Sequence, residues 1–429
     1  MSLGIFLIIF FVFLLFGMPV GFAMITSGFL YLISSGNPMT IVMMPETIFT
    51  GINVYVLSAI PFFMLAGDIM NRVGISDRII NFSNLVIGRV RGGLAQVNVL
   101  ASILFAGVTG VALGDIAALG SVFIPAMEKQ GYDREFSAGI TAASSLVGPI
   151  IPPSTIIVLY ASIMQLSVGA MFLGAIIPGL LIGLSDMIMV ALISKKRKYP
   201  KVDVPTTPKQ LVLGFKDAGL AIFMPVLMIG GLLTGIFTPT EAAGVSVVYA
   251  IIVGAVIYRT LKLKQLRQSL KDSVWSSAKL FLIIAGASVV SYVFAAERVP
   301  IIAQQIFLSI TPNRIILILV VNLFFLFMGT WMDPGVSIIL FAPILWPTAQ
   351  SLGLNAVQFG IMIVLNSNIG LCTPPVGNVL FAIVDMAKVD LFKVSKEMLP
   401  FLLANLIIVL AVGYLPGLTT WLPHMLGLL

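Results

Sequence analysis

The stretch VGPIIPPSTI, residues 147–156, places three prolines and a glycine inside an apolar run where the flanking sequence reads as membrane helix. An interior proline removes a backbone donor and costs a helix about 3 kcal/mol. Non-helical backbone is tolerated at membrane depth only when it is buried in protein or lines a wet cavity. The fold therefore turns on what this break serves.

Its setting is a chain of 429 residues, 59% hydrophobic and 10% charged. Apolar runs of roughly 20 residues, the length that crosses hydrocarbon, recur along it. The fold class is an all-α polytopic membrane protein. The net charge of +7 comes from Lys and Arg in short loops between apolar runs, so it marks topology by the positive-inside rule and contact with lipid headgroups, not nucleic acid. A single Cys372 excludes an internal disulfide and a single His424 excludes a multi-His metal site. The absence of any Gly-Lys dipeptide removes the P-loop and with it an ATP-driven pump. MSLGIFLIIFF at the start has no basic n-region and no small-residue cleavage site, which reads as a mature helix with its N-terminus outside.

The loop KKRKYPKVDVPTTPK, Lys195 to Lys209, and the basic stretch Arg259 to Lys271 are expected on the cytoplasmic side. From these the spans run at about 217–236, 241–258 and 274–296, followed by a short apolar segment, VPIIAQQIFLSITP, suited to the outer interface. Upstream, a span at 170–193 descends and the segment from Arg134 to Gln165 rises. ISDRIINFSNLVIG, flanked by Arg72, Arg78, Arg89 and Arg91, forms a second interfacial stretch on the inner side.

Those two interfacial stretches on opposite sides suggest inverted halves, and subtraction tests it. Pro152-Pro153 and Pro374-Pro375 lie 222 residues apart, and Gly107/Gly329, Pro125/Pro347, Gly131/Gly353 and Gly148/Gly370 keep that offset. Pro19 and Pro239 pair at 220. Repetition at one offset is a repeat signal. The boundaries that follow are 1–194 for the first repeat (scaffold 1–92, transport part 93–194), 195–213 for a cytoplasmic linker, and 214–429 for the second (scaffold 214–313, transport part 314–429). Equal span counts then split residues 3–36 at Gly17-Met18-Pro19 into two short helices, with one long tilted helix as the competing reading.

Each half holds two breaks in the same order. FAGVTGVALGD, residues 105–115, is the tip of a hairpin over 93–127 that begins and ends beside cytoplasmic charge, and FMGTWMDPG, residues 327–335, is the tip of its partner over about 315–348. Both read as re-entrant. GPIIPPS and GLCTPPVG then interrupt two helices, each expected to stop, run extended, and restart with proline in the first turn. Such discontinuous helices hold substrate and ions in inverted-repeat transporters, with helix N-termini facing anions and freed carbonyls coordinating Na⁺. Asp115 and Asp333 sit at the tips, where a carboxylate is a functional candidate. Ser144, Ser145, Asn366, Ser367 and Asn368 precede the breaks and suit either an ion or an interhelical bond. Asp68, Glu241, Lys279 and Asp385 are expected at helix ends.

RGGLAQVNVLAS, IPAMEKQGYDREFSAGI, GPIIPPSTI and FGIMIVLNSNIGLCTPPVGNVLF together resemble the large membrane subunit of the tripartite ATP-independent periplasmic (TRAP) transporters, over essentially the whole chain. The resemblance implies Na⁺-driven secondary uptake of an organic acid, a C4-dicarboxylate or a sugar acid such as sialic acid, across the bacterial inner membrane. It implies a periplasmic substrate-binding protein, a small four-helix membrane subunit, and an elevator in which hairpins and broken helices move past the scaffold and its interfacial arm helices. Carried onto this sequence, one Na⁺ site combines Gly107, Thr109 and Gly110 with Ser145 and Gly148, and the other combines Gly329, Thr330 and Asp333 with Gly370 and Thr373. No further cofactor is implied. Substrate contacts are assigned to Asp115, Pro153, Ser154, Thr155, Pro375 and Asn378. One departure is Thr109-Gly110-Val111, where the family often carries a Ser-Gly-Ser-like tip, so the first site leans on backbone carbonyls.

Three other functions compete. An intramembrane aspartyl protease needs two carboxylates in one buried site, yet Asp133 falls in a basic loop. A channel shares the broken helices but differs in coupling and turnover. A stand-alone Na⁺/carboxylate symporter needs no binding protein. Both termini are expected on the periplasmic side.

Overall fold

A computed structural model describes residues 3–34, 38–201, 207–310, 313–374 and 376–429, and among these every regular element is helical. The first half runs α1 (Leu3–Leu15), α2 (Val20–Ser34), α3 (Pro38–Ile52), α4 (Ala59–Arg72), α5 (Ile75–Ile87), α6 (Gly93–Thr109), α7 (Ala112–Asp115), α8 (Ser121–Lys129), α9 (Arg134–Ser145), α10 (Thr155–Ile163) and α11 (Val168–Arg197). The second runs α12 (Pro208–Leu233), α13 (Pro239–Ile252), α14 (Leu263–Ala296), α15 (Val299–Ile310), α16 (Arg314–Trp331), α17 (Pro334–Ser351), α18 (Ala356–Gly370), α19 (Asn378–Ala387), α20 (Leu391–Tyr414) and a terminal α21 (Gly417–Met425). Six of the described helices are long and apolar enough to cross a membrane, or seven if the bent pair around residues 53–54 counts as one span. The protein is multi-pass.

Residues 3–34 form two helices. The chain turns at Gly17, whose φ of +80° is open to glycine at no steric cost, and α2 starts after Pro19. One asymmetry between the halves stands out. Val42–Ile52 and Tyr55–Arg72 meet at 58°, whereas α14 in the second half is one unbroken helix of 34 residues.

Helix ends differ from the sequence reading where capping decides them. α12 starts at Pro208, inside the stretch read as linker, because Thr207 and Gln210 close a capping box around a proline at the first helical position. α11 runs on to Arg197, its last turn carrying Lys195, Lys196 and Arg197, the charges a helix C-terminus favours. α14 begins at Leu263, earlier than expected, and so takes in Lys279, which lies mid-helix with its ammonium 5.5 Å from the Trp275 ring. That correction has a plain cause: an aromatic face beside a long side chain lets a cation sit away from a helix end. Glu241 does sit at the start of α13, completing a capping box with Thr238, and Asp385 near the end of α19, bonded to Lys388 at 2.7 Å.

Packing crosses between the halves. α2 lies along α14 and α4 along α13. The first seam is close because Gly21, Gly28 and Gly286 face it: a Cβ on Gly28 would lie 2.4 Å from Val289 and one on Gly286 2.7 Å from the Gly21 carbonyl. Small residues permit such approach between membrane helices. α9 and α11 both pack on α20. At their charged end Arg197 reaches Asp133 at 3.0 Å and Glu397 at 2.8 Å, while the Tyr199 hydroxyl donates to Asp133 at 2.6 Å. Burial and that bond push the Tyr199 phenol up to about 12.

Candidate functional site

The first tip is built on Gly110, left-handed at φ +61°, which ends α6 by donating its N–H to the Ala106 carbonyl at 3.3 Å. An added Cβ there would lie 2.5 Å from the Pro153 carbonyl oxygen, so the hairpin tip presses directly on the proline break. Gly107 packs similarly, 2.5 Å from the Pro225 ring of α12 and 3.5 Å from the Pro152 carbonyl oxygen, measured from an ideal Cβ. Asp115, fully buried, places its carboxylate against Gly148, whose Cβ position is 2.2 Å from Oδ2. α6 is stitched to α9 by Asn98 donating to Thr141 at 2.7 Å and Ser102 to Ser144 at 2.9 Å. Of Thr109, the structure describes the backbone at the end of α6; its side chain lies outside the described residues.

The second tip mirrors this contact more tightly. A Cβ on Gly329 would lie 2.5 Å from the Ser367 carbonyl oxygen, and one on Gly370 would lie 2.5 Å from the Gly329 carbonyl carbon. Two backbones touch where no side chain fits. Thr330 donates to Phe327 O at 2.8 Å, and Thr373 to Ile369 O at 2.9 Å. Asp333 is the N-cap of α17, its Oδ1 accepting from the Gly335 N–H at 2.8 Å.

Two expectations about the breaks are corrected. Neither runs as an extended strand: Val147 N–H donates to the Ser144 carbonyl, Gly148 to Ser145, Cys372 to Ile369 and Thr373 to Gly370, all at 2.9–3.2 Å. Buried backbone must find partners, and short turns supply them. These bonds engage one lone pair of several carbonyls expected to be free. The prolines also precede the restarting helices and do not sit in their first turns. α10 begins at Thr155 with Ser154 as N-cap, its Oγ accepting from Ile157 N–H at 3.3 Å and donating to the Pro149 carbonyl; Pro152-Pro153 is cis. Ser154→Ala is expected to cost about 1 kcal/mol, read as a lower unfolding temperature in detergent.

Both tips and both breaks meet at one cavity of about 160 Å³. The first tip contributes Gly110 to Leu113, the first break Pro149, Thr155, Ile156 and Leu159, the second tip Asp333 to Gly335, and the second break Asn368, Leu371 and Asn378. Met64 of α4 and Leu280 of α14 close it from the other side. Of the residues assigned to substrate, Thr155 and Asn378 line this space, joined by Gly110 and Asp333 from the ion assignments. Asp115, Pro153 and Ser154 are not among its lining residues, and Pro375 lies outside the described residues. Of the ion candidates, Gly107 and Gly110 lie at the first tip–break contact and Gly329 and Gly370 at the second. At the second, Asn366 Oδ1, Ser367 Oγ and Asn368 Oδ1 are buried acceptors without a donor among the described residues, while both amide nitrogens donate, to Asn322, Met362 and Val364. Neutral oxygens left unpaired in this way fit a monovalent cation. No cluster of three or more His, Cys, Asp or Glu suited to a metal occurs among the described residues.

A second cavity of about 280 Å³ adjoins the first, sharing Met64 and Val111, and is lined by Gly114, Asp68, Asn71, Asp272 and Ser276. Arg72 spans its rim, 2.6 Å from both Asp68 and Asp272, tying α4 to α14. Sequence reasoning missed the apolar lining, since Met64, Leu280 and Leu159 look like any core residues. It also missed Asp186, fully buried in α11 and bonded by Asn405 at 3.2 Å; a lone acid in a 30-residue apolar helix was the available signal.

Comparison with known proteins shows the family. The family model described as "Tripartite ATP-independent periplasmic transporter, DctM component" matches residues 7–418. The sialic acid TRAP transporter large permease protein SiaM of Vibrio cholerae is 38% identical over 409 residues, covering 95% of each chain. The C4-dicarboxylate TRAP transporter large permease protein DctM of the same species is 34% identical, covering 96% of this chain and 95% of its own. Among solved structures, the YdaH transporter of Alcanivorax borkumensis superposes with a TM-score of 0.63 at 14% identity, over 89% of this chain and 90% of its own, a likeness of fold.

Proposed function

Since the chain belongs to the DctM family of TRAP transporter large permeases, which are transport subunits and not enzymes, we propose that it carries an organic acid anion inward by Na⁺ symport. The observation that carries this reading is the convergence of two glycine tips and two proline breaks on one cavity edged by Asp333. The cargo class is a C4-dicarboxylate or a sugar acid such as sialic acid, the substrates after which the relatives are named. Thr155 and Asn378 open α10 and α19, so helix N-termini and short polar side chains face the cavity. Na⁺ ions occupy the tip–break contacts: Gly107, Thr109, Gly110, Ser145 and Gly148 on one side; Gly329, Thr330, Asp333, Gly370 and Thr373 on the other.

In this reading the halves are inverted repeats, and α6 to α11 with α16 to α21 form the body that moves past a scaffold of α1 to α5 and α12 to α15. Met64 and Leu280 are then the fixed wall. The adjoining cavity beneath Asp68 and Asp272 is the route toward the cytoplasm. A small membrane subunit braces the scaffold, a periplasmic binding protein delivers the anion, and both termini face the periplasm.

The test is uptake into proteoliposomes of the bacterial lipid type holding both membrane subunits, with the binding protein outside. Uptake is expected only with an inward Na⁺ gradient and the loaded binding protein. Two Na⁺ per monoanion move one net charge, so an imposed 100 mV should raise steady accumulation roughly 50-fold, from about 2.3 kcal/mol per charge. Uptake indifferent to Na⁺ overturns the coupling, and uptake by this chain alone points to a self-sufficient symporter.

A further inference from the structure

A groove of about 740 Å³ lies apart from the central cavity, between the α5–α6 corner and α11. Its wall is apolar, formed by Ile87, Ile188 and Ala191, and its rim carries Arg91 and Lys195. Neither cation has a carboxylate partner among the described residues, although the neighbouring Arg197 is paired twice. Arg89, two residues before Arg91, has Nε and Nη2 buried with no acceptor among the described residues. The corner is held in place by the Gly92 N–H donating to the Pro200 carbonyl at 3.0 Å.

One lining residue points to a ligand by itself. Gln96 is only 5% exposed, and its Nε2 donates to the Met187 carbonyl at 2.8 Å. That bond fixes the amide of this groove-lining residue and leaves Oε1 a buried acceptor without a donor among the described residues. The groove therefore offers uncompensated positive charge at its mouth, one unfilled acceptor within, and an apolar wall. This end of α11 is also the one whose basic residues mark the cytoplasmic leaflet, where anionic lipids concentrate.

We propose that the groove binds one anionic phospholipid. Its phosphate lies between Arg91 and Lys195, a headgroup hydroxyl donates to Gln96 Oε1, and one acyl chain follows Ile87, Ile188 and Ala191. An inorganic anion would leave the apolar wall uncovered, and a zwitterionic lipid would leave the two cations uncompensated. The inference does not depend on what the protein carries.

The full chain, reconstituted in nanodiscs of equal phosphatidylglycerol and phosphatidylcholine, is exchanged into detergent and its retained lipids are identified by native mass spectrometry. Phosphatidylglycerol is expected to be retained in preference. Arg91→Gln and Lys195→Gln should each lower that retention about fivefold, and the pair together roughly 25-fold. Ala191→Trp should abolish it while leaving the charges in place, and Lys196→Gln, in the same turn but outside the groove, should leave it intact; unfolding temperatures confirm that each variant is folded. Unchanged retention in the double variant overturns the proposal. Equal retention of phosphatidylcholine, or displacement of the lipid by inorganic phosphate, overturns it as well.

Discussion

Gly329→Ala is expected to remove Na⁺-driven uptake while the chain still inserts, and Gly370→Ala to do the same. The added methyl at 329 would lie 2.5 Å from the Ser367 carbonyl oxygen and 2.8 Å from its Cα, and at 370 it would lie 2.5 Å from the Gly329 carbonyl carbon. These neighbours are backbone, with no rotamer to yield. Overpacking of this kind costs about 1–3 kcal/mol, and here it falls on the contact that brings the second tip to the second break. Uptake should drop by at least ~10-fold, since displacement of the ion oxygens by a few tenths of an ångström forfeits over 1.4 kcal/mol of binding. The control is Gly230→Ala in α12, where nothing lies within 4 Å of the new carbon. That change should stabilise the helix by about 0.5–1 kcal/mol and leave uptake unaltered. If both variants behave alike in uptake and unfolding, the close contact has no role.

Asp333 separates structural from ionic duties. Asp333→Asn retains an acceptor at the N-cap, where the two residues rank about equally, so α17 should keep its stability. The charge is lost, and hydrogen bonds or ion contacts to a charged group are worth about 1.5–3 kcal/mol. The Na⁺ concentration for half-maximal uptake is expected to rise roughly 10- to 100-fold. Asp333→Ala should add the loss of the cap, about 1 kcal/mol, as a lower unfolding temperature. An Asn variant with wild-type Na⁺ dependence would remove Asp333 from the ion site.

The elements most legible in the sequence were those set by glycine and proline. Gly110 and Gly329 read as tips because glycine takes a left-handed turn at no steric cost and has no Cβ to meet a carbonyl oxygen at 2.5 Å, and the proline pairs read as breaks because proline cannot continue a helix. The 222-residue offset of Gly107 from Gly329, shared by Pro152 and Pro374, added order. Less legible was how a break satisfies itself. The turn bonds from Val147 to Ser144 and from Thr373 to Gly370 leave no trace in residue type, since every residue but proline can donate one. Ser154 was legible as a polar residue near the cavity but its hydroxyl is engaged by Ile157 and Pro149, a cap that the adjacent prolines obscured. Met64 and Leu280 join the cavity through tertiary packing from distant helices, which apolar patterning cannot reveal. The linker edge was misplaced for a local reason: Thr207 and Gln210 sit in a polar stretch, where a capping box resembles loop.

The 58° bend between α3 and α4, facing an unbroken α14, bears on resting populations. Two strictly identical inverted halves would make the inward-open and outward-open forms energetically degenerate, each half occupied in the absence of ligand. In the proposed inverted-repeat reading, a scaffold bent on one side and continuous on the other lifts that degeneracy. Under the proposed elevator reading, the empty carrier then has a preferred parking side written into its covalent sequence, and cargo needs to supply only the difference between two unequal wells.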